Sequence, residues 1–140
     1  MEKKLIIANE ITEILRLKDF VDNLGERLSL SEDLVFSLNL VLEEAVINVI
    51  QYAYPQDEDH TIELTAEQKN EQLVFTLKDV GIPFDSTKVS APDTDLAMED
   101  RQIGGLGIYF VRQLMDEVTY KREDGMNVLT MYKKIKKVSQ

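Results

Sequence analysis

Apolar residues recur along this chain with two different periods, and the switches between them outline the elements. "KKLIIAN" reads as a short strand, and from Asn9 Ile11, Ile14, Leu15, Leu17, Val21, Leu24 and Leu28 follow at helical spacings of three and four. "SLSE" offers Ser29 and Glu32 in capping-box spacing, with Ser31 as the alternative cap, before a helical run that reaches Tyr54 and stops at Pro55. "PQDEDH" is a polar loop. "TIELTAE" and "QLVFTLKD" then alternate apolar and polar residues around the turn-like "QKNEQ", as a hairpin with one buried face does. Residues 86–104, "STKVSAPDTDLAMEDRQIG", show no period, and a long loop of this kind is often a lid. "GLGIYFVRQLMDEV" returns to helix spacing, and "EVTYKRE" and "MNVLTMYKKI" flank Asp124-Gly125, a strong hairpin turn. The order β-α-α-β-β-lid-α-β-β predicts an α+β domain with helices on one face of a mostly antiparallel sheet.

Length and composition change this picture little: 140 residues, 44% hydrophobic and 30% charged, describe one globular domain over residues 1–140. No run is apolar enough for a signal peptide or membrane span, and there is no cysteine for disulfide, thiol or cysteine–metal chemistry. The expectation is a cytoplasmic protein with no membrane partner. A formal net charge of −10 works against a phosphate backbone, so nucleic acid is not the expected partner. The basic cluster "YKKIKK" at 132–137 reads as a solvated strand end and tail.

Three stretches carry candidate chemistry. In "EEAVINVIQYAYP", Glu44 and Asn48 stand one helical turn apart on the flank of a helix whose other positions, Leu38, Leu42, Ala45 and Val49, are apolar. Alone, they read first as a solvated glutamate and a core amide bonded to backbone. "DVGIPFD", directly after a strand, is either an ordinary turn or a pocket floor. In the second case Asp79 accepts a hydrogen bond, Gly81 admits a flat ligand to the backbone, and Ile82 and Phe84 line the walls. "GGLGI" opens a helix with glycines, which lower helix propensity. They would free backbone N–H groups to meet an anion at the positive end of the helix dipole, or let the helix pack closely on the sheet. Neither GxxxxGK[ST] nor GxGxxG occurs in the chain.

Taken in this order, E-A-x-x-N on a helix, D-x-G-x-P-F-D after a strand and G-G-L-G-I after a lid resemble the ATP-binding boxes of the gyrase, histidine-kinase and MutL (GHKL) superfamily. From the first strand to Lys134 the chain is similar to a small bacterial branch of it, the anti-sigma-factor serine/threonine kinases. That resemblance implies a single histidine-kinase-like ATPase domain of the Bergerat type, a two-layer α/β sandwich on a mixed, mostly antiparallel sheet. By it, Asn48 would coordinate a Mg²⁺ bridging the phosphates of ATP, and Glu44 would be the general base. Asp79 would hold the adenine amino group above Gly81, and Gly104, Gly105, Leu106, Gly107 and Ile108 would meet the phosphates. Arg101 could swing in from the lid, and Thr130 would contact the adenine side.

The resemblance further implies a Mg-ATP-dependent protein serine/threonine kinase that phosphorylates a STAS-domain anti-sigma-factor antagonist in a partner-switching pathway. A sigma factor is a further implied partner, and family members pair as homodimers. A second reading keeps ATP binding but gives the domain a regulatory role, sequestering a sigma factor or another protein with little or no turnover. One departure stands out: many members follow the asparagine with A-x-x-H-A-Y, whereas Tyr52 here replaces the histidine. The lone His60 lies in an acidic loop and reads as an exposed loop residue, not a phospho-acceptor.

Overall fold

The computed structural model describes residues 2–54, 59–85, 87, 111 and 113–135. Strand β1 (Glu2–Ala8) leads through a 3-10 turn (Ile11–Glu13) into helix α1 (Ile14–Arg27), and α2 (Glu32–Asn48) continues into a π-helical turn (Val49–Ala53). Strands β2 (Thr61–Lys69) and β3 (Gln72–Asp79) form the central hairpin, and β4 (Glu117–Glu123) and β5 (Met126–Lys134) the last one. The sheet runs β1-β2-β3-β5-β4. Every pairing among the described strands is antiparallel, so the expected mixed sheet is a purely antiparallel one there.

Strict alternation explains the two-layer form. Ile62, Leu64 and Ala66 on β2 and Leu73, Phe75 and Leu77 on β3 are buried, while the residues between them are partly exposed. One sheet face is therefore apolar and must be covered. α1 covers it with Leu17, Val21 and Leu24, and α2 with Leu38, Val41, Leu42, Ala45 and Val46. α2 is apolar around more of its circumference than α1 because it packs on both the sheet and its neighbour helix. Two residues of the helical pattern, Ile11 and Leu15, lie outside the core and are 53% and 73% exposed.

The capping alternatives resolve through backbone geometry. Ser29 takes a left-handed conformation (φ 54°) and closes α1, with the Leu30 N–H donating to the Gly25 carbonyl at 2.9 Å. It is therefore unavailable as a cap, and Ser31 starts α2 by accepting from the Leu34 N–H at 3.1 Å. Asp124 and Gly125 both have positive φ, as the two-residue hairpin requires. The predicted second helix reaches Tyr54 only by widening into the π-helical turn after Asn48.

Residues 111 and 113–114 are helical, and Val111 and Met115 bury into the core beside β5. Lys133 at the start of the basic cluster donates to the Leu114 carbonyl at 2.7 Å, and Ile135 is buried, so this end of the cluster is docked and not merely solvated. Apart from Thr87, the expected lid, its Arg101 and the glycine-rich helix start at 104–108 lie outside the described residues.

The helices meet at Gly25, where an added Cβ would come within 2.4 Å of Val35 Cγ2. Gly25→Ala should therefore destabilise the domain by roughly 1–3 kcal/mol despite its better helix propensity, because a β-branched neighbour has little rotamer freedom to yield. Urea unfolding checks this, and Val35→Ala in the same chain should recover most of the loss.

Candidate functional site

Glu44 and Asn48 occupy the last turns of α2, where the apolar stripe holds the helix against the sheet. Asn48 is 1% exposed, and its Nδ2 donates to the Glu44 carbonyl at 2.7 Å. This is the backbone bond a core amide would make. A hard cation would take the amide oxygen, not the nitrogen. Glu44 is half-buried, yet its Oε2 is fully enclosed and has no hydrogen-bond partner among the described residues. Burial pushes the Glu44 carboxyl above its ordinary range, and the neighbouring Glu43 carboxylate adds to the shift. A raised, unsatisfied carboxylate beside a buried amide is costly to the fold, and a proton acceptor or a cation site is the chemistry it suits.

Asp79 ends β3 and is 3% exposed. Its Oδ1 accepts from the Gly81 N–H at 2.9 Å and from Asn127 Nδ2 at 2.8 Å, while Oδ2 accepts no hydrogen bond from the described residues. Burial raises its pKa, opposed by the Asn127 and Gly81 hydrogen bonds and by the charge of Arg122. A buried carboxylate with one oxygen satisfied and the other open is an acceptor for a single N–H donor.

The turn after Asp79 is held from two sides. Against α2, the Ala53 carbonyl accepts the Ile82 N–H at 2.9 Å, and a Cβ on Gly81 would lie 2.3 Å from that same oxygen. The missing side chain at Gly81 thus makes room for Ala53, a use of the glycine that the flat-ligand reading did not include. Tyr54 Oη accepts the Val80 N–H at 3.0 Å. Against the last hairpin, Asn127 uses its whole amide: Nδ2 also donates to the Ile82 carbonyl (2.8 Å), and Oδ1 accepts from the Phe84 N–H (3.1 Å), Tyr120 Oη (2.6 Å) and Arg122 (3.2 Å). Arg122 donates further to the Gly81 carbonyl at 2.8 Å. Val80 and Ile82 are left about half exposed beside the buried Asp79, an apolar rim suited to a flat ring.

Strand register explains the assembly. Asp79 pairs directly with Asn127 across β3 and β5, and Asn127 with Arg122 across β5 and β4, so the three share one face at one sheet end. The same register places Thr130 apart from this group. It pairs with Thr76, three positions from the Asp79 pair, and lines the opposite sheet face with Lys78 and Lys121. A period of two puts it on the other sheet face from Asp79, and Asn127 is the β5 residue that meets Asp79. Asn127, Arg122 and Tyr120 carried no motif; the Asp124-Gly125 turn implied the Arg122–Asn127 pair, but not that β5 would lie beside β3. His60 is also more than a loop residue. It is partly buried, stacks on Tyr54 with ring centroids 4.9 Å apart, accepts the Asn9 N–H at its carbonyl and donates its own N–H to Asn9 Oδ1.

Two substitutions separate the charge of Asp79 from its anchoring. Because its folded pKa is raised, the stability it contributes is fully present below its ordinary value of 3.8 and is lost as pH rises through the folded value. Asp79→Asn keeps an Oδ1 acceptor for Gly81 and Asn127, so its melting temperature should exceed wild type at pH 7, with the difference closing as pH falls toward 4. Asn127→Ala instead strands the groups it serves and should cost roughly 2–4 kcal/mol at any pH. Thermal melts across that pH range check both.

The chain matches the histidine kinase-like ATPase domain family over residues 7–133. It is 30% identical over 112 residues to the serine/threonine-protein kinase BtrW of Bordetella bronchiseptica, covering 80% of this chain and 79% of that one. To the serine-protein kinases RsbW of Bacillus cereus and Bacillus anthracis it is 28% identical over 133 residues, covering 92% of this chain and 81% of each. With the matched region taking in the α2 end, the Asp79 turn and the last hairpin, the chain belongs to the histidine kinase-like ATPase family and groups with its small serine/threonine-protein kinases.

Proposed function

We propose that this domain is a Mg-ATP-dependent protein serine/threonine kinase and anti-sigma regulatory factor of the cytoplasm, acting on a STAS-domain antagonist in a partner-switching pathway. The observation that carries the reading is the enclosed, unpartnered Glu44 carboxylate oxygen one helical turn before the buried Asn48 amide. Chain similarity to protein kinases of comparable length supports it. No described helix is long and apolar enough to cross a membrane.

Glu44 is the proton acceptor for the incoming serine or threonine hydroxyl. Its raised pKa makes it a stronger base than an exposed glutamate. The Asn48 amide oxygen fits a Mg²⁺, a hard cation that takes few protein ligands, and the ion would supply charge neutralisation at the phosphates. Asp79 Oδ2 accepts the adenine amino group, with Val80 and Ile82 beside the ring and Gly81 beneath it. Gly104, Gly105, Leu106, Gly107 and Ile108 give backbone N–H groups to the phosphates, and Arg101 adds a positive charge.

A regulatory module that captures its partner without turnover is the second reading, favoured by the exposed apolar side chains Leu15 and Phe36 on the helical layer, 73% and 71% exposed. In either case a homodimer, with a sigma factor as a further partner, is the assembly proposed.

Radiolabelled Mg-ATP, the purified protein and its cognate antagonist should yield phosphoserine or phosphothreonine on the antagonist. Glu44→Ala should lower transfer at least a hundredfold, in the range a positioned base contributes, while binding ATP as wild type does. Unchanged transfer removes Glu44 from the base role, and partner capture that is the same with ATP, ADP or no nucleotide removes the switching idea.

A further inference from the structure

Tyr52, the departure from the family's histidine, faces the Asp79 turn in a regular way. Residues 52–54 and 80–84 run past each other in opposite order: Tyr54 Oη holds Val80, the Ala53 carbonyl holds Ile82, and the Tyr52 ring stacks on Phe84. The ring centroids are 5.1 Å apart with planes 26° from parallel, within the range of an attractive offset stack. Two backbone donors and one ring pair thus join the end of the Glu44–Asn48 helix to the turn carrying Asp79. These are also the residues of the π-helical turn and its cap. The winding there widens from i→i+4 to i→i+5, and π-helical turns of this kind recur at functional sites.

Phe84 is held at the same time from the other side, by its N–H on Asn127 Oδ1. Its backbone is therefore anchored to the last hairpin while its ring stacks on Tyr52, so one residue links the Asp79 end to the α2 end. We infer that Tyr52 is a positioning residue: through Phe84 it fixes the Asp79 turn relative to Asn48, so that the two ends of a nucleotide site are held at one spacing. The inference rests on the ATP site proposed above.

Isothermal titration of ATP with Mg²⁺ or with EDTA, in wild type, Tyr52→Phe, Tyr52→Ala, Phe84→Ala and the double alanine variant, tests it. Tyr52→Phe should bind as wild type does. Each alanine variant should lose roughly three- to tenfold in Mg-ATP affinity, the range a ring stack supplies. The double variant should be no weaker than the weaker single. The affinity gained from Mg²⁺ should shrink in all three, and amide exchange in the nucleotide-free protein should be faster at Val80 and Ile82. Wild-type affinity and Mg²⁺ gain in Tyr52→Ala would overturn the inference alone. So would additive losses, or losses equal with and without Mg²⁺, which mark a contact that only supports the fold. Failure of wild-type protein to bind ATP would overturn the site reading and this inference with it.

Discussion

A buried carboxylate organises the candidate site. Asp79 closes β3 on the helix-facing side of the sheet, where water cannot solvate it, so the surrounding chain has to supply donors. The turn after it is built around that need: Gly81 folds back to give its N–H, and Asn127 reaches across from β5 to give another. Both donors go to one oxygen. The conformation that satisfies Asp79 thereby leaves the other oxygen open to a ligand, and sets the apolar rim of Val80 and Ile82 beside it.

That arrangement makes the last hairpin part of the site. Asn127 carries five hydrogen bonds through one amide, to a carboxylate, two backbone groups, a phenol and a guanidinium. A network of this kind in a low-dielectric place is stable only when complete, since each group left unpaired costs about as much as several hydrogen bonds gain. It gives the turn one shape. On the other side, the close approach of Gly81 to the Ala53 carbonyl ties the same turn to the end of α2, so Asp79 and the Glu44–Asn48 pair are parts of one rigid construction.

Glu44 stands in contrast. Its enclosed oxygen has no partner among the described residues, and its pKa is raised by burial with no donor to offset it. One carboxylate in the site has donors on one of its oxygens; the other has an enclosed oxygen with none among the described residues. Burial raises both carboxyls, but only Asp79 has hydrogen-bond donors that oppose the shift.

Periodicity alone determined the element order, the buried sheet face, the apolar stripe of α2 and the Glu44–Asn48 step, because each depends on spacing within one segment. The Asp79–Gly81 turn and the Asp124-Gly125 hairpin were legible for the same reason: their conformations are local demands of residue type. Capping at Ser31, the purely antiparallel pairing, the π-helical end of α2, the placement of Asn127 beside Asp79 and the stack of Tyr52 on Phe84 were not. The cap turned on the left-handed backbone at Ser29, and the strand contacts on which strand lies beside which and in what register, where a shift of one residue moves a side chain to the other face of the sheet. Only the tertiary structure, by setting β5 against β3 and the end of α2 against the Asp79 turn, decided which polar residues meet.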